Sequence, residues 1–145
     1  MKLLTLIALA GLASCPIVLS AESAAKPAAP PAVESKSYKN VGVEEFDKLR
    51  MNKTNVVLDV RTPKEFSDGH IPGAINIDWN GPDFEKKALA LDKTKTYLVH
   101  CAAGVRSAKA SERLAKLNFT SVINLEPGFN AWAKASKPIE KGESK

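Results

Sequence analysis

Short apolar runs alternate along the chain with segments in which apolar positions recur at helical spacing. Nearly continuous apolar runs are typical of strands buried on both faces of a sheet. The strands predicted in this way are 55–60, 73–77, 96–100 and 121–125. The helical patterns predict helices at 43–51, 83–91, 105–117 and 129–135. Strands that alternate with helices indicate an α/β fold, in which helices cover both faces of a parallel sheet.

Two helices carry further local signals. Thr62 followed by Pro63 predicts the start of a short helix, with Thr62 as the N-cap, and Gly69 is expected to end it. In the helix at 105–117, Ala108, Leu114 and Leu117 form an apolar stripe that is expected to face the core.

The N-terminus differs from the rest of the chain. Residues 1–21 combine a basic start, an apolar run at 3–12 and small residues at Ser20 and Ala21, which is typical of an export signal cleaved by a signal peptidase. The apolar run is too short for a membrane span. We therefore expect an exported protein, periplasmic or secreted.

A lipoprotein signal is the alternative, because Leu12-Ala13-Ser14-Cys15 matches the pattern at which such signals are cut and the cysteine is lipidated. Residues 22–36 are rich in Ala and Pro and predict a flexible spacer. The folded domain is then expected at 37–140, with a short tail at 141–145.

Composition and charge narrow the function classes. The chain has 145 residues, enough for one domain, and a net charge of +5 from 21 basic and 16 acidic residues. Removal of residues 1–21 takes away one lysine, so 20 basic against 16 acidic residues leave +4. The lysines are spread along helices without interleaved aromatic residues, which argues against a nucleic-acid partner.

Cysteine chemistry is the most specific signal. Of the two cysteines, Cys15 belongs to the export signal, so Cys101 is the thiol of the predicted domain. One cysteine and two histidines do not supply a zinc ligand set, and no metal or other cofactor is expected.

Cys101 follows a predicted buried strand and is followed by a small-residue loop that opens into a helix. Ligands of open α/β sheets bind at this edge, and a helix N-terminus stabilises an anion such as a thiolate. Arg106 adds a positive charge on the same loop. We therefore predict Cys101 as a nucleophile. The loop predicted to bind substrate and persulfide consists of Ala102, Ala103, Gly104, Val105, Arg106 and Ser107.

The spacing of this loop distinguishes two chemistries. A cysteine-based phosphatase resembles the segment, including its His100-Cys101 pair. Such a phosphatase has five residues between the cysteine and the arginine, whereas this chain has four. The shorter loop suits a sulfur atom held on Cys101 as a persulfide.

Four blocks in order resemble the rhodanese family, in its single-domain sulfurtransferase type. The first is Leu58-Asp59-Val60-Arg61 with Glu65-Phe66, and the second is the segment 69–77. The third is the Cys101 loop, and the fourth is Pro127-Gly128-Phe129-Asn130-Ala131-Trp132. The resemblance covers residues 38 to about 140 and implies a parallel five-stranded α/β fold.

The resemblance also implies a two-step sulfur transfer. Cys101 would take a sulfur atom from thiosulfate or from a persulfide or polysulfide, and would pass it to a thiol, cyanide or a partner protein. Asp59 and Arg61 are expected to form an ion pair that supports the loop, and His70 is expected to be a structural hydrogen-bonding residue. Ala102 and Ala103 stand where many thiosulfate-using members carry a larger polar or basic side chain, so the donor stays open.

Two other functions remain open on the sequence. One is a phosphatase or an enzyme that resembles arsenate reductase. The other is a non-catalytic binding or sulfur-relay module that delivers sulfur to one protein.

Overall fold

The computed structural model describes residues 38–142. The predicted export signal, the spacer and Cys15 lie outside the described residues. The strands are β1 (Lys39–Val41), β2 (Val56–Asp59), β3 (Ile75–Asn76), β4 (Thr96–His100) and β5 (Ser121–Leu125). The helices are α1 (Val43–Arg50), α2 (Pro63–Asp68), α3 (Phe84–Leu89), α4 (Val105–Lys116) and α5 (Gly128–Lys134).

The five strands form one sheet in the order β1-β5-β4-β2-β3, and all of its pairings are parallel. The predicted α/β fold with a parallel five-stranded sheet is therefore confirmed. All four strands that the apolar runs predict are present. The fifth strand, β1, was not predicted, because it has three residues and two of them are exposed. It forms by pairing with β5 at the edge of the sheet.

Helices cover both faces of the sheet, as predicted. One core cluster contains Phe84 of α3 and Leu114 of α4. The other contains Phe46 of α1, Phe66 of α2 and Trp132 of α5. Neighbouring strand residues alternate between the two clusters, since successive side chains of a strand point to opposite faces. No helix among residues 38–142 has the length and apolarity to cross a membrane.

The buried face of α4 differs from the predicted stripe. Leu114 is fully buried, but Ala108 is only partly buried, and Ser107 and Ser111 are buried instead. A hydropathy pattern counts serine as polar and so does not place it in the core. The fold, however, requires small side chains where this helix approaches the sheet. This face brings Ser107 next to Cys101.

Candidate active site

The Cys101 loop joins the end of β4 to the start of α4 at the carboxyl edge of the sheet. The Cys101 side chain is only 1% exposed. The backbone N–H of Gly104 donates to the Cys101 Sγ over 3.1 Å. Gly104 has a φ of +90°, and a Cβ there would lie 1.9 Å from the Glu126 carbonyl oxygen. This position therefore requires glycine.

The start of α5 holds the loop from the other side. The N–H of Phe129 donates to the Cys101 carbonyl over 2.7 Å, and the N–H of Asn130 donates to the Ala102 carbonyl over 2.9 Å. Gly128 lies against the same backbone, since a Cβ there would be 2.5 Å from the Ala102 carbonyl oxygen. Because the Cys101 and Ala102 carbonyls accept hydrogen bonds from α5, they point away from the sulfur. The N–H groups of the loop can then donate to the Cys101 Sγ.

These N–H groups change the acidity of Cys101. Burial raises the pKa of the thiol, but the side chain and the backbone N–H of Ser107 lower it. The Ser107 hydroxyl itself donates to the Gly104 carbonyl over 3.0 Å. The N–H groups of Ala103 and Gly104 lower the pKa of Cys101 further, and the resulting pKa lies below the ordinary value. A thiolate is the reactive form of cysteine. The loop therefore favours the thiolate, which is the nucleophilic state of Cys101.

Arg106 is held by Glu65, a partner that sequence reasoning did not assign to it. Two guanidinium N–H groups donate to the two carboxylate oxygens over 2.8 and 2.9 Å. The hydrogen bonds from Arg106 lower the pKa of Glu65 to about 2, so the carboxylate is ionised at neutral pH. This arrangement is the two-point pairing that the planar guanidinium favours.

Glu65 also fixes the start of α2. Its Oε2 accepts from the Thr62 N–H over 3.0 Å and from the Thr62 hydroxyl over 2.9 Å. The Thr62 hydroxyl in turn accepts from the Glu65 N–H. This capping box confirms the predicted helix start at Thr62 and Pro63. The sequence did not predict the pairing of Glu65 with Arg106, because a glutamate three residues after Thr62 is already explained by the capping box.

The predicted ion pair of Asp59 and Arg61 is present at the end of β2, the strand that pairs with β4. The Arg61 guanidinium donates to Asp59 over 2.6 Å and to the Gly69 carbonyl over 2.7 Å, and it lies 4.1 Å from the centre of the Phe129 ring. Arg61 thus packs on the residue whose N–H holds Cys101. Next to this pair, burial lowers the pKa of His100 to about 4, so this histidine is neutral at pH 7.

His70 lies in a separate network. Its ring stacks on Phe66 with 3.7 Å between the ring centres, and its Nδ1 lies 2.9 Å from the Phe66 carbonyl oxygen. Its backbone exchanges two hydrogen bonds with Glu140. These partners fit the structural role expected for His70. The backbone contacts of the C-terminal segment continue to Gly142, whose N–H donates to Ser67.

An open groove of about 360 Å³ borders the loop at Ala102. Its walls include Glu65, Asp68, Phe129, Ile139 and Lys141. Within residues 38–142, no group of three or more His, Cys, Asp or Glu side chains could hold a metal ion.

Comparisons with known proteins agree with this geometry. The sequence profile of the rhodanese-like domain matches residues 42–135. The chain is 40% identical over 93 residues to thiosulfate sulfurtransferase 16, chloroplastic, of Arabidopsis thaliana, covering 57% of this chain and 78% of that protein. It is 29% identical over 100 residues to thiosulfate sulfurtransferase GlpE of Shewanella oneidensis, covering 69% and 97%.

A solved structure supports the same family. The crystal structure of a rhodanese-related protein from Thermoplasma volcanium matches with a TM-score of 0.64 and 33% identity, over 71% of this chain and 98% of that one. The parallel α/β fold and the match over residues 42–135 define a rhodanese-like domain. The chain belongs to the rhodanese-like domain family.

Proposed function

We propose that this protein is a sulfurtransferase that carries a sulfane sulfur atom on Cys101 as a persulfide. The observation that carries the proposal is the Gly104 N–H, which donates to the Sγ over 3.1 Å inside a loop held by α5. Such donors stabilise negative charge on a sulfur atom at this place. The sulfurtransferase names of two relatives support the same chemistry.

The first step forms a bond between Sγ and the outer sulfur of the donor. The Cys101 thiolate supplies the electron pair, and the bond between that sulfur and the rest of the donor breaks. With thiosulfate the leaving group would be sulfite, and with an organic persulfide it would be a thiolate. The product is Cys101–S–S⁻ or its protonated form, and no external oxidant or reductant is needed.

The second step returns the enzyme to its starting state. A thiolate, cyanide or the thiol of a partner protein attacks the outer sulfur of the persulfide. The acceptor keeps that sulfur, and the electron pair of the broken bond returns to Cys101 as a thiolate. This sequence is covalent catalysis with ping-pong kinetics.

The test is the mass of the intact protein before and after a sulfur donor. The expected result is a gain of one sulfur atom, its loss on treatment with cyanide or a thiol, and no gain in Cys101→Ser. Absence of the adduct with thiosulfate, polysulfide and organic persulfide would refute the proposal. Phosphoester hydrolysis that depends on Cys101 would instead support the phosphatase alternative, against which the four-residue gap to Arg106 argues.

The proposal includes an exported location, periplasmic or secreted, with lipidation at Cys15 as the alternative. Its support is the sequence of residues 1–21. The mass of the mature protein from its native host tests it, because a free N-terminus near residue 21 or 22 and a lipidated Cys15 differ in mass. An intact Met1 would refute export.

A further inference from the structure

The positive charge on the Cys101 loop is already paired. The two terminal nitrogens of the Arg106 guanidinium donate to the Glu65 carboxylate, at 2.8 and 2.9 Å. Glu65 and, to a smaller extent, the Cys101 thiolate raise the pKa of Arg106, which places the guanidinium within electrostatic reach of both groups. An anionic sulfur donor that binds Arg106 must therefore compete with the Glu65 carboxylate.

The charges around the sulfur sum to a negative value. The thiolate and the Glu65 carboxylate each carry −1, and Arg106 carries +1, so this group carries −1. The buried Arg61 is neutralised by Asp59. Elsewhere in the groove, Asp68 pairs with Lys64 and Lys141 adds one positive charge. Asp78 adds one negative charge that acts on Arg106. A dianion such as thiosulfate is therefore repelled at the place where it must react.

The rim of the loop is apolar. Val105 is 65% exposed, Ala103 is exposed and Ala102 is partly exposed. These side chains offer no hydrogen bond to the oxygen atoms of a sulfonate-like leaving group, but they tolerate the carbon atoms of an organic one.

We propose that Glu65 is a positioning residue that sets donor specificity, because it occupies Arg106 and thereby directs the site toward organic persulfides and away from thiosulfate. This inference rests on the proposed function. For an organic persulfide R–S–SH, the Cys101 thiolate bonds to the outer sulfur, and R–S⁻ leaves with the electron pair of the broken S–S bond. This donor carries at most one negative charge, whereas thiosulfate carries two, so the repulsion is weaker.

Glu65→Gln is the sharpest test, since glutamine is nearly isosteric and also supports a capping box. The substitution removes the carboxylate charge and weakens its hold on Arg106. The rate of persulfide formation on Cys101 is measured by intact mass after alkylation, over a range of donor concentrations. The two donors are thiosulfate and the persulfide of 2-mercaptoethanol, and thermal unfolding checks the fold of each variant.

In Glu65→Gln, the ratio of the thiosulfate rate to the organic persulfide rate should rise by about tenfold, mainly through a lower half-saturating concentration of thiosulfate. The ratio is used because a change in the acidity of Cys101 would change the rates with both donors and would therefore cancel. Asp68→Asn is the matched control. It removes one negative charge from the same groove, where Asp68 pairs with Lys64 rather than with Arg106, and its ratio should change by less than about twofold.

A second measurement does not depend on folding of the variant. In the unmodified protein, added salt should accelerate the reaction with thiosulfate, because salt screens repulsion, and should change the organic persulfide rate little. Persulfide formation with an unchanged ratio in folded Glu65→Gln would overturn the inference and leave the proposed function intact. A thiosulfate rate that falls with salt would overturn it as well. No adduct with either donor would overturn the proposed function, and this inference with it.

Discussion

Replacement of Gly128 by alanine tests the view that α5 shapes the reactive loop. Gly128 has a φ of +67°, which costs an L-residue about 1 kcal/mol. The new Cβ would also lie 2.5 Å from the Ala102 carbonyl oxygen and 2.7 Å from the Ala103 nitrogen. Both atoms belong to the backbone, so α5 must move away from the loop.

That movement lengthens the hydrogen bonds from Phe129 to Cys101 and from Asn130 to Ala102. Each such bond contributes about 1 kcal/mol. Together with the backbone strain, the expected loss in the free energy of unfolding is about 3 kcal/mol. Because the loop N–H groups lose their support, persulfide formation on Cys101 should also slow.

Gly73→Ala is the matched control, since Gly73 has a φ of +77° with nothing within 4 Å of its Cβ position. This variant should lose only about 1 kcal/mol and keep the rate of persulfide formation. The assay is urea unfolding, followed by intact mass after a timed exposure to a sulfur donor. Equal stability losses in the two variants, or an unchanged rate in Gly128→Ala, would refute the reasoning.

Two further predictions concern protonation. Ser107→Ala should raise the pKa of Cys101, because it removes a side-chain hydroxyl that lowers this pKa and that also holds the Gly104 carbonyl. The pH profile of Cys101 alkylation would then move to higher pH, and an unmoved profile would contradict the role of Ser107. His100 has a pKa of about 4 in the fold and about 6.5 when unfolded. As the pH falls from 6.5 to 4, protons bind the unfolded chain first, so stability should decline by up to about 3 kcal/mol. Urea unfolding across this range measures the decline, and a flat profile would be inconsistent with a neutral buried His100.

Local patterns in the sequence were enough to predict most of the fold and to single out Cys101 as the candidate nucleophile. The apolar runs that became β2, β4 and β5 reflect strands buried on both faces, and such burial leaves a continuous signal. The position of Cys101 at the end of β4, before the start of α4, also follows from neighbouring residues. The capping signal at Thr62 is local as well.

The contacts that shape the site join distant parts of the chain. Glu65 and Arg106 are 41 residues apart, and their pairing requires that α2 and α4 start at the same edge of the sheet. The close approach of Gly128 to Ala102 and the pairing of β1 with β5 depend on tertiary packing in the same way.

The sequence by itself determined the kind of sheet and the place of the candidate nucleophile at the end of a buried strand, because hydrophobic periodicity and loop spacing are local properties. Only the tertiary structure decided that Arg106 is paired with a carboxylate and that the carbonyls of the Cys101 loop are tied to α5. Charge pairing and hydrogen-bond direction depend on which elements meet, and no local pattern records that.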